Sequence, residues 1–191
     1  MWYYMQAILR TPMISFLSNL DVSVFRWLNA LAGVSATWDF LVVALAQYLP
    51  YALGAVFVCM LLFWGESLGR KMRLTVETGI SVMLSRFLLT PLIRFFIHRP
   101  RPFLALESVH NLLGSHDASS SFPSGHATFF FALAISVSFY SRRWGAIFFI
   151  STILITISRV IAGVHYPADI AVGFIVAACA AFVAHGAAKR I

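Results

Sequence analysis

Acidic side chains are scarce in this chain, with seven Asp and Glu in 191 residues against 14 Lys and Arg, a net charge of +7. Charged residues of either sign make up only 11% of the sequence, where a soluble domain carries about a quarter. That shortage excludes an ordinary soluble surface. Cysteine is nearly absent as well. Cys59 and Cys179 both fall inside apolar runs, which predicts inert buried thiols and leaves neither a disulfide framework nor cysteine metal spacing. The opening stretch MWYYMQAILRTPMISF lacks the basic, apolar and small-residue order of a secretory signal, because Arg10 and Pro12 interrupt it. Internal repeats and low-complexity tracts are missing too. The basic excess does not point to nucleic acid, since the cations sit in short loops between apolar runs and no nucleic-acid-binding module fits.

What is present in quantity is apolar: 60% hydrophobic residues, 18 Phe and 5 Trp. A spanning helix needs roughly 20 mostly apolar residues. Five segments meet or approach that length, at about 39–64, 74–97, 124–140, 145–164 and 167–186. The predicted fold is therefore all-α, a polytopic membrane bundle of about five transmembrane helices within one domain, 1–191. Residues 1–36 read as an interfacial N-terminal segment ahead of a catalytic bundle at 39–186. Asp21 offers an N-cap, and Val22, Phe25, Leu28 and Leu31 follow at helical spacing up to Gly33. Those features predict an amphipathic helix lying in the lipid interface.

The loops ESLGRKMR (66–73) and SRRW (141–144) and the terminal KRI fall on one side of such a bundle. The positive-inside rule makes that side cytoplasmic. The 98–122 linker and the junction near residue 165 then face outward at the cell membrane, with Arg99 and Arg101 kept there against the rule.

Three polar patches lie at those outward ends: RFFIHRPRP (94–102), PSGH (123–126) and SRVIAGVHYPAD (158–169). Arg94, Arg101 and Arg159 supply forked donors suited to phosphate. Pro123 fits a first helical turn. Ser124, Gly125 and His126 would then aim free amides at an anion, with Gly125 allowing close approach. His126 and His165 supply proton transfer and a nucleophile near neutral pH. Asp169, four residues past His165, can return toward that imidazole if the intervening turn is helical. Taken singly, a histidine at a helix end is structural and a boundary arginine snorkels to headgroups. Three arginines, two histidines and an aspartate at one level are not explained that way. A zinc site of His126, His165 and Asp169 is the competing reading, disfavoured by three cations beside it.

This pattern resembles the type 2 phosphatidic acid phosphatase superfamily, whose signature has three parts. A Lys or Arg stands six residues ahead of Arg-Pro; Pro-Ser-Gly-His follows; then come Ser-Arg, five residues, His, three residues and Asp. Arg94 and Arg101-Pro102, residues 123–126, and Ser158-Arg159 with His165 and Asp169 match in order, with Arg94 where Lys is commoner. VFRWLNALAG with Asp39, RPRPF and GVHYPAD further resemble small bacterial undecaprenyl-diphosphate phosphatases of the bacitracin-resistance type. The resemblance implies a membrane phosphatase without cofactor or metal. His165 would attack phosphorus and form a phosphohistidine, and His126 would protonate the leaving oxygen and then activate water. Asp169 would orient His165, while Arg94, Arg101, Arg159, Ser124 and Gly125 hold the phosphoryl oxygens.

The implied partners are the lipid bilayer and a polyprenyl or other lipid phosphate. Phosphatidylglycerophosphate, phosphatidate and a lipid A phosphate are alternative substrates, and phosphotransfer is an alternative to hydrolysis. Arg99, outside the signature, is a possible second-phosphate contact. His98, Glu107, His110, His116 and Asp117 read as solvated linker residues. Arg86 falls mid-span, where an ionisable side chain marks either a buried structural pair or a substrate contact, and Thr90-Pro91 nearby predicts a bend.

Overall fold

The computed structural model describes residues 12–188. Seven helices follow in order: α1 Pro12–Asn29, α2 Ala36–Phe63, α3 Leu68–Phe96, the short α4 Pro102–Ala105, α5 Gly125–Ser138, α6 Arg142–Ile161 and α7 Pro167–Ala188. Strands are absent among the described residues. In hydrocarbon every backbone polar group needs an internal partner, which apolar sequence meets as helix. Among the described residues four helices, α2, α3, α6 and α7, are long and apolar enough to cross a membrane.

The predicted third span departs from this pattern. α5 has 14 residues, about 21 Å at the helical rise, against a hydrocarbon core of about 30 Å. It is the axis of the bundle, packed on α3, α6 and α7, and buried from Ala127 to Val137 except at Phe129. A helix walled in by protein need not match the bilayer in length. Small residues allow the close approach. A Cβ on Gly173 of α7 would lie 2.6 Å from that of Ala127. Hydroxyls add cross-links, as where Thr152 donates to the Phe130 carbonyl at 3.3 Å.

Two predicted boundaries also move. α3 begins at Leu68 rather than near 74, because Ser67 caps it and accepts from the Arg70 amide. α1 begins by Pro12 rather than at Asp21; the part of the predicted interfacial segment before Pro12 lies outside the described residues. Asp21 caps another helix. Its Oδ1 accepts from Ala168 N at 2.8 Å, in the first turn of α7. α1 is docked rather than merely lying in an interface. Phe25 is buried against Tyr166, ring centroids 5.3 Å apart, and Asn29 donates to the carbonyls of Ile161 and His110 at 2.8 and 2.9 Å.

Large apolar side chains such as Phe40, Phe63, Phe95 and Phe182 cover the outside, as lipid contact requires. Cys59 and Cys179 are on that outer face as free thiols, not buried, because the spans that carry them present those positions outward. At the end of the bundle far from the signature residues, Arg70 pairs with Glu66 at 2.9 Å and donates to the Tyr140 carbonyl at 2.9 Å.

Candidate active site

Chain direction brings the three motif patches to one end of the bundle. α3 arrives carrying Arg94 in its last turn, α5 departs at Gly125, α6 arrives with Arg159, and α7 departs with Asp169. After α6 the chain turns through Gly163 at φ +82°, a left-handed conformation open to glycine, and presents His165.

Asp169 is fully buried and connects the patches. Its Oδ1 accepts from Arg99 at 3.0 Å, and its Oδ2 accepts from the Tyr166 amide at 2.9 Å. The same Oδ2 stands 3.5 Å from His165 Nδ1, an ion-pair distance without hydrogen-bond alignment. The Asp169 backbone carbonyl accepts from Ser124 N at 3.0 Å, tying α7 to the mouth of α5. His165 is 2% exposed. Desolvation lowers its pKa to about 4, with Asp169 opposing and Arg159 reinforcing the shift. The imidazole is therefore neutral at pH 7, a form with one ring nitrogen unprotonated.

Arg159 and Arg101 lie near enough to His165 for their charges to act on it, and Arg94 lies near Arg101. Arg94 donates to the Pro123 carbonyl at 3.0 Å and Arg159 to the Ala46 carbonyl at 3.2 Å. Arg101 binds Asp117 at 2.6 Å. The Nε of each is buried and lacks a protein partner. Unpaired buried donors are costly, and an anion is the kind of ligand that satisfies guanidinium N–H groups. Asp117 is not simply a solvated linker residue, since its carboxylate holds Arg101. The Ser119 amide, ahead of the Ser119 hydroxyl and the Arg101 charge, keeps that carboxylate below its usual pKa.

The α5 mouth differs in detail from the expectation. Ser124 is the N-cap and its Oγ accepts from Ala127 N at 3.5 Å, so Pro123 stands ahead of the helix rather than in its first turn. Ser124 N is taken by Asp169, leaving the first-turn amides of Gly125 and His126 for an anion. His126 stacks on Phe130, with centroids 6.2 Å apart, and lines a cavity of about 670 Å³ with Gly125, Arg159, Tyr51 and Arg86.

Arg99 is committed elsewhere. Both terminal nitrogens bind carboxylates, Asp21 at 2.6 Å and Asp169 at 3.0 Å, and the guanidinium lies 3.6 Å over the Tyr166 ring. The expected second-phosphate contact gives way, because two carboxylates already occupy the fork. Asp21 and Asn29 are the supporting residues that motif reading passed over; a carboxylate and an amide inside an amphipathic helix were the available signals. Among the described residues, no group of three or more His, Cys, Asp or Glu converges so as to hold a metal ion.

A family model described as the PAP2 superfamily matches residues 74–190, which include every signature residue. The chain belongs to the PAP2 superfamily. It is 32% identical to the undecaprenyl-diphosphatase BcrC of Bacillus subtilis over 165 residues, covering 86% of this chain and 82% of that protein. It is 27% identical over 176 residues to a Bacillus licheniformis protein named bacitracin transport permease BcrC, covering 91% and 83%. Among solved structures it is similar to Aquifex aeolicus LpxE, with a TM-score of 0.72 and 26% identity over 87% of this chain and 95% of that one. As a PAP2 member with these helices, it is a multi-pass membrane lipid phosphatase.

The Arg99 contacts carry a prediction. If Arg99 positions Asp169, Arg99→Ala lowers kcat on diphosphate and monoester lipid substrates alike. A catalytic group misplaced by about 1 Å can cost roughly 100-fold. Parallel kinetics on farnesyl diphosphate and farnesyl phosphate check this, and a loss confined to the diphosphate would return Arg99 to the substrate.

Proposed function

We propose that this PAP2 phosphatase hydrolyses undecaprenyl diphosphate to undecaprenyl phosphate and inorganic phosphate through a phosphohistidine on His165. The observation that carries the reading is a buried imidazole 3.5 Å from Asp169, at the end of the bundle that also holds three arginines whose buried Nε atoms have no protein partner. In the first step His165 Nε2 attacks the terminal phosphorus in line. The P–N bond forms as the P–O bond to the lipid phosphate breaks, and His126, as the imidazolium, gives that oxygen its proton. In the second step His126 takes a proton from water, which attacks the phosphohistidine. The P–N bond breaks, inorganic phosphate leaves, and His165 returns to its neutral form.

Arg94, Arg101, Arg159 and the Gly125 amide hold the equatorial oxygens, a charge-stabilising role that metal ions fill in other phosphoryl-transfer sites. The likeness to a protein named undecaprenyl-diphosphatase favours the diphosphate. The described bundle acts as one catalytic domain, with the site on the extracytoplasmic side of the cell membrane. The cationic loops at the opposite end support that orientation.

Purified protein assayed for phosphate release should turn over undecaprenyl or farnesyl diphosphate with a higher kcat/KM than phosphatidate or phosphatidylglycerophosphate, in EDTA as without it. His165→Ala should abolish that turnover. A better rate on phosphatidate would remove the diphosphate assignment, and restoration of EDTA-treated enzyme by a divalent cation would remove the metal-free one.

Orientation is checked by thiol labelling in intact cells, in a background lacking Cys59 and Cys179. A cysteine at Ser119 should react with an impermeant reagent and one at Ser67 should not; the reverse pattern inverts the topology.

A further inference from the structure

Arg86 is a cation in the middle of a membrane span, and the signature chemistry does not use it. It rides on a π-helical stretch of α3, Met83–Leu89, where the helix takes on an extra residue per turn ahead of Pro91, which has no amide to donate. Side-chain bonds hold that stretch to α5. Thr90 N–H reaches the Ser85 carbonyl, Thr90 Oγ1 donates to the same carbonyl at 2.8 Å, and Ser85 Oγ donates to the Thr128 carbonyl at 3.1 Å. The Thr128 hydroxyl in turn donates to the Gly125 carbonyl at 3.1 Å.

The result is that the Arg86 guanidinium lies on Gly125. A Cβ there would stand 2.8 Å from Arg86 Nε and 3.0 Å from its Cζ, so Gly125 leaves room for the arginine as well as for an anion. Among the described residues no salt bridge or side-chain hydrogen bond holds this guanidinium, unlike Arg94, Arg99, Arg101 and Arg159. A buried structural pair is therefore not its role. It faces the cavity that His126 and Arg159 line, close enough to His126 and Arg94 for their charges to interact.

Position in that cavity decides what Arg86 meets. The nucleophile His165 is buried and does not line the cavity, whereas the proton donor His126 does. In-line displacement sends the leaving oxygen away from His165 and toward His126. The atom bonded beyond that oxygen is a carbon in a monoester and a second phosphorus in a diphosphate. We infer that Arg86, on the His126 side of the reacting phosphoryl group, binds the lipid-proximal phosphate of a diphosphate substrate and sets the preference for diphosphates over monoesters. This rests on the diphosphatase reading above and gives the second phosphate a partner in place of Arg99. Arg86 would hold charge on that phosphate both in the bound substrate and as the P–O bond breaks.

The test compares kcat/KM for farnesyl diphosphate and farnesyl phosphate, which share a tail, in wild type, Arg86→Gln and Arg86→Lys. One charge-assisted hydrogen bond is worth roughly 10- to 100-fold. Arg86→Gln should lose at least tenfold more on the diphosphate than on the monoester, and Arg86→Lys, which keeps the charge without the fork, should fall between. Inhibition by methylenediphosphonate should weaken in Arg86→Gln more than inhibition by inorganic phosphate, a readout independent of turnover. Equal losses on both substrates in both variants, or an unchanged ratio, would overturn the inference. Wild-type preference for the monoester would instead overturn the diphosphatase reading, and the ratio between variants would still report on Arg86.

Discussion

The buried carboxylate of Asp169 is the interaction on which the rest of this structure depends. An ion placed out of water costs several kcal/mol unless paired and hydrogen-bonded, and Asp169 meets that cost with Arg99 from the linker and the Tyr166 amide from the turn before α7. His165 stands 3.5 Å from the same carboxylate. Arg99 is itself anchored by Asp21 of α1, while the Asp169 main chain takes the Ser124 amide at the mouth of α5. One residue thus links the turn that carries His165, the start of α5 and the docking of the N-terminal helix. Removing any of these contacts leaves a charge buried without its full complement of partners.

The site opposes this anion with a larger cationic surplus, held in place largely by backbone carbonyls. Arg94 leans on the Pro123 carbonyl and Arg159 on that of Ala46. Ala46 belongs to the π-helical Ala44–Tyr48 segment of α2, as Arg86 belongs to that of α3. Carbonyl anchoring orients a guanidinium without neutralising it, which keeps its charge for a ligand. Arg101 is the exception, with the Asp117 carboxylate bound to it.

The signature residues were legible in the sequence because each motif keeps a short, fixed spacing. Residues 94–102, 123–126 and 158–169 lie at one level whichever way the helices bundle, provided the spans alternate. Depth and partnership were not legible. Hydropathy along 124–140 registers an apolar segment but cannot tell a lipid-facing span from a 14-residue axis enclosed by protein. A guanidinium fork fits a carboxylate as well as a phosphate, so spacing alone does not reveal that Asp21 and Asp169 pair with Arg99. Asp21 looked like the start of its own helix because an N-cap carboxylate has the same signature when it caps a helix 147 residues away.

The proposed mechanism turns on one covalent event, the transfer of a phosphoryl group to His165. The direct measurement is a rapid quench, at alkaline pH, of enzyme turning over polyprenyl diphosphate labelled with ³²P at the terminal phosphate. Proteolysis and peptide mapping then locate the label. The account predicts an acid-labile, alkali-stable phosphoenzyme on the peptide containing His165, absent from His165→Ala. Label found on His126, or labelled enzyme still forming in His165→Ala, would contradict it.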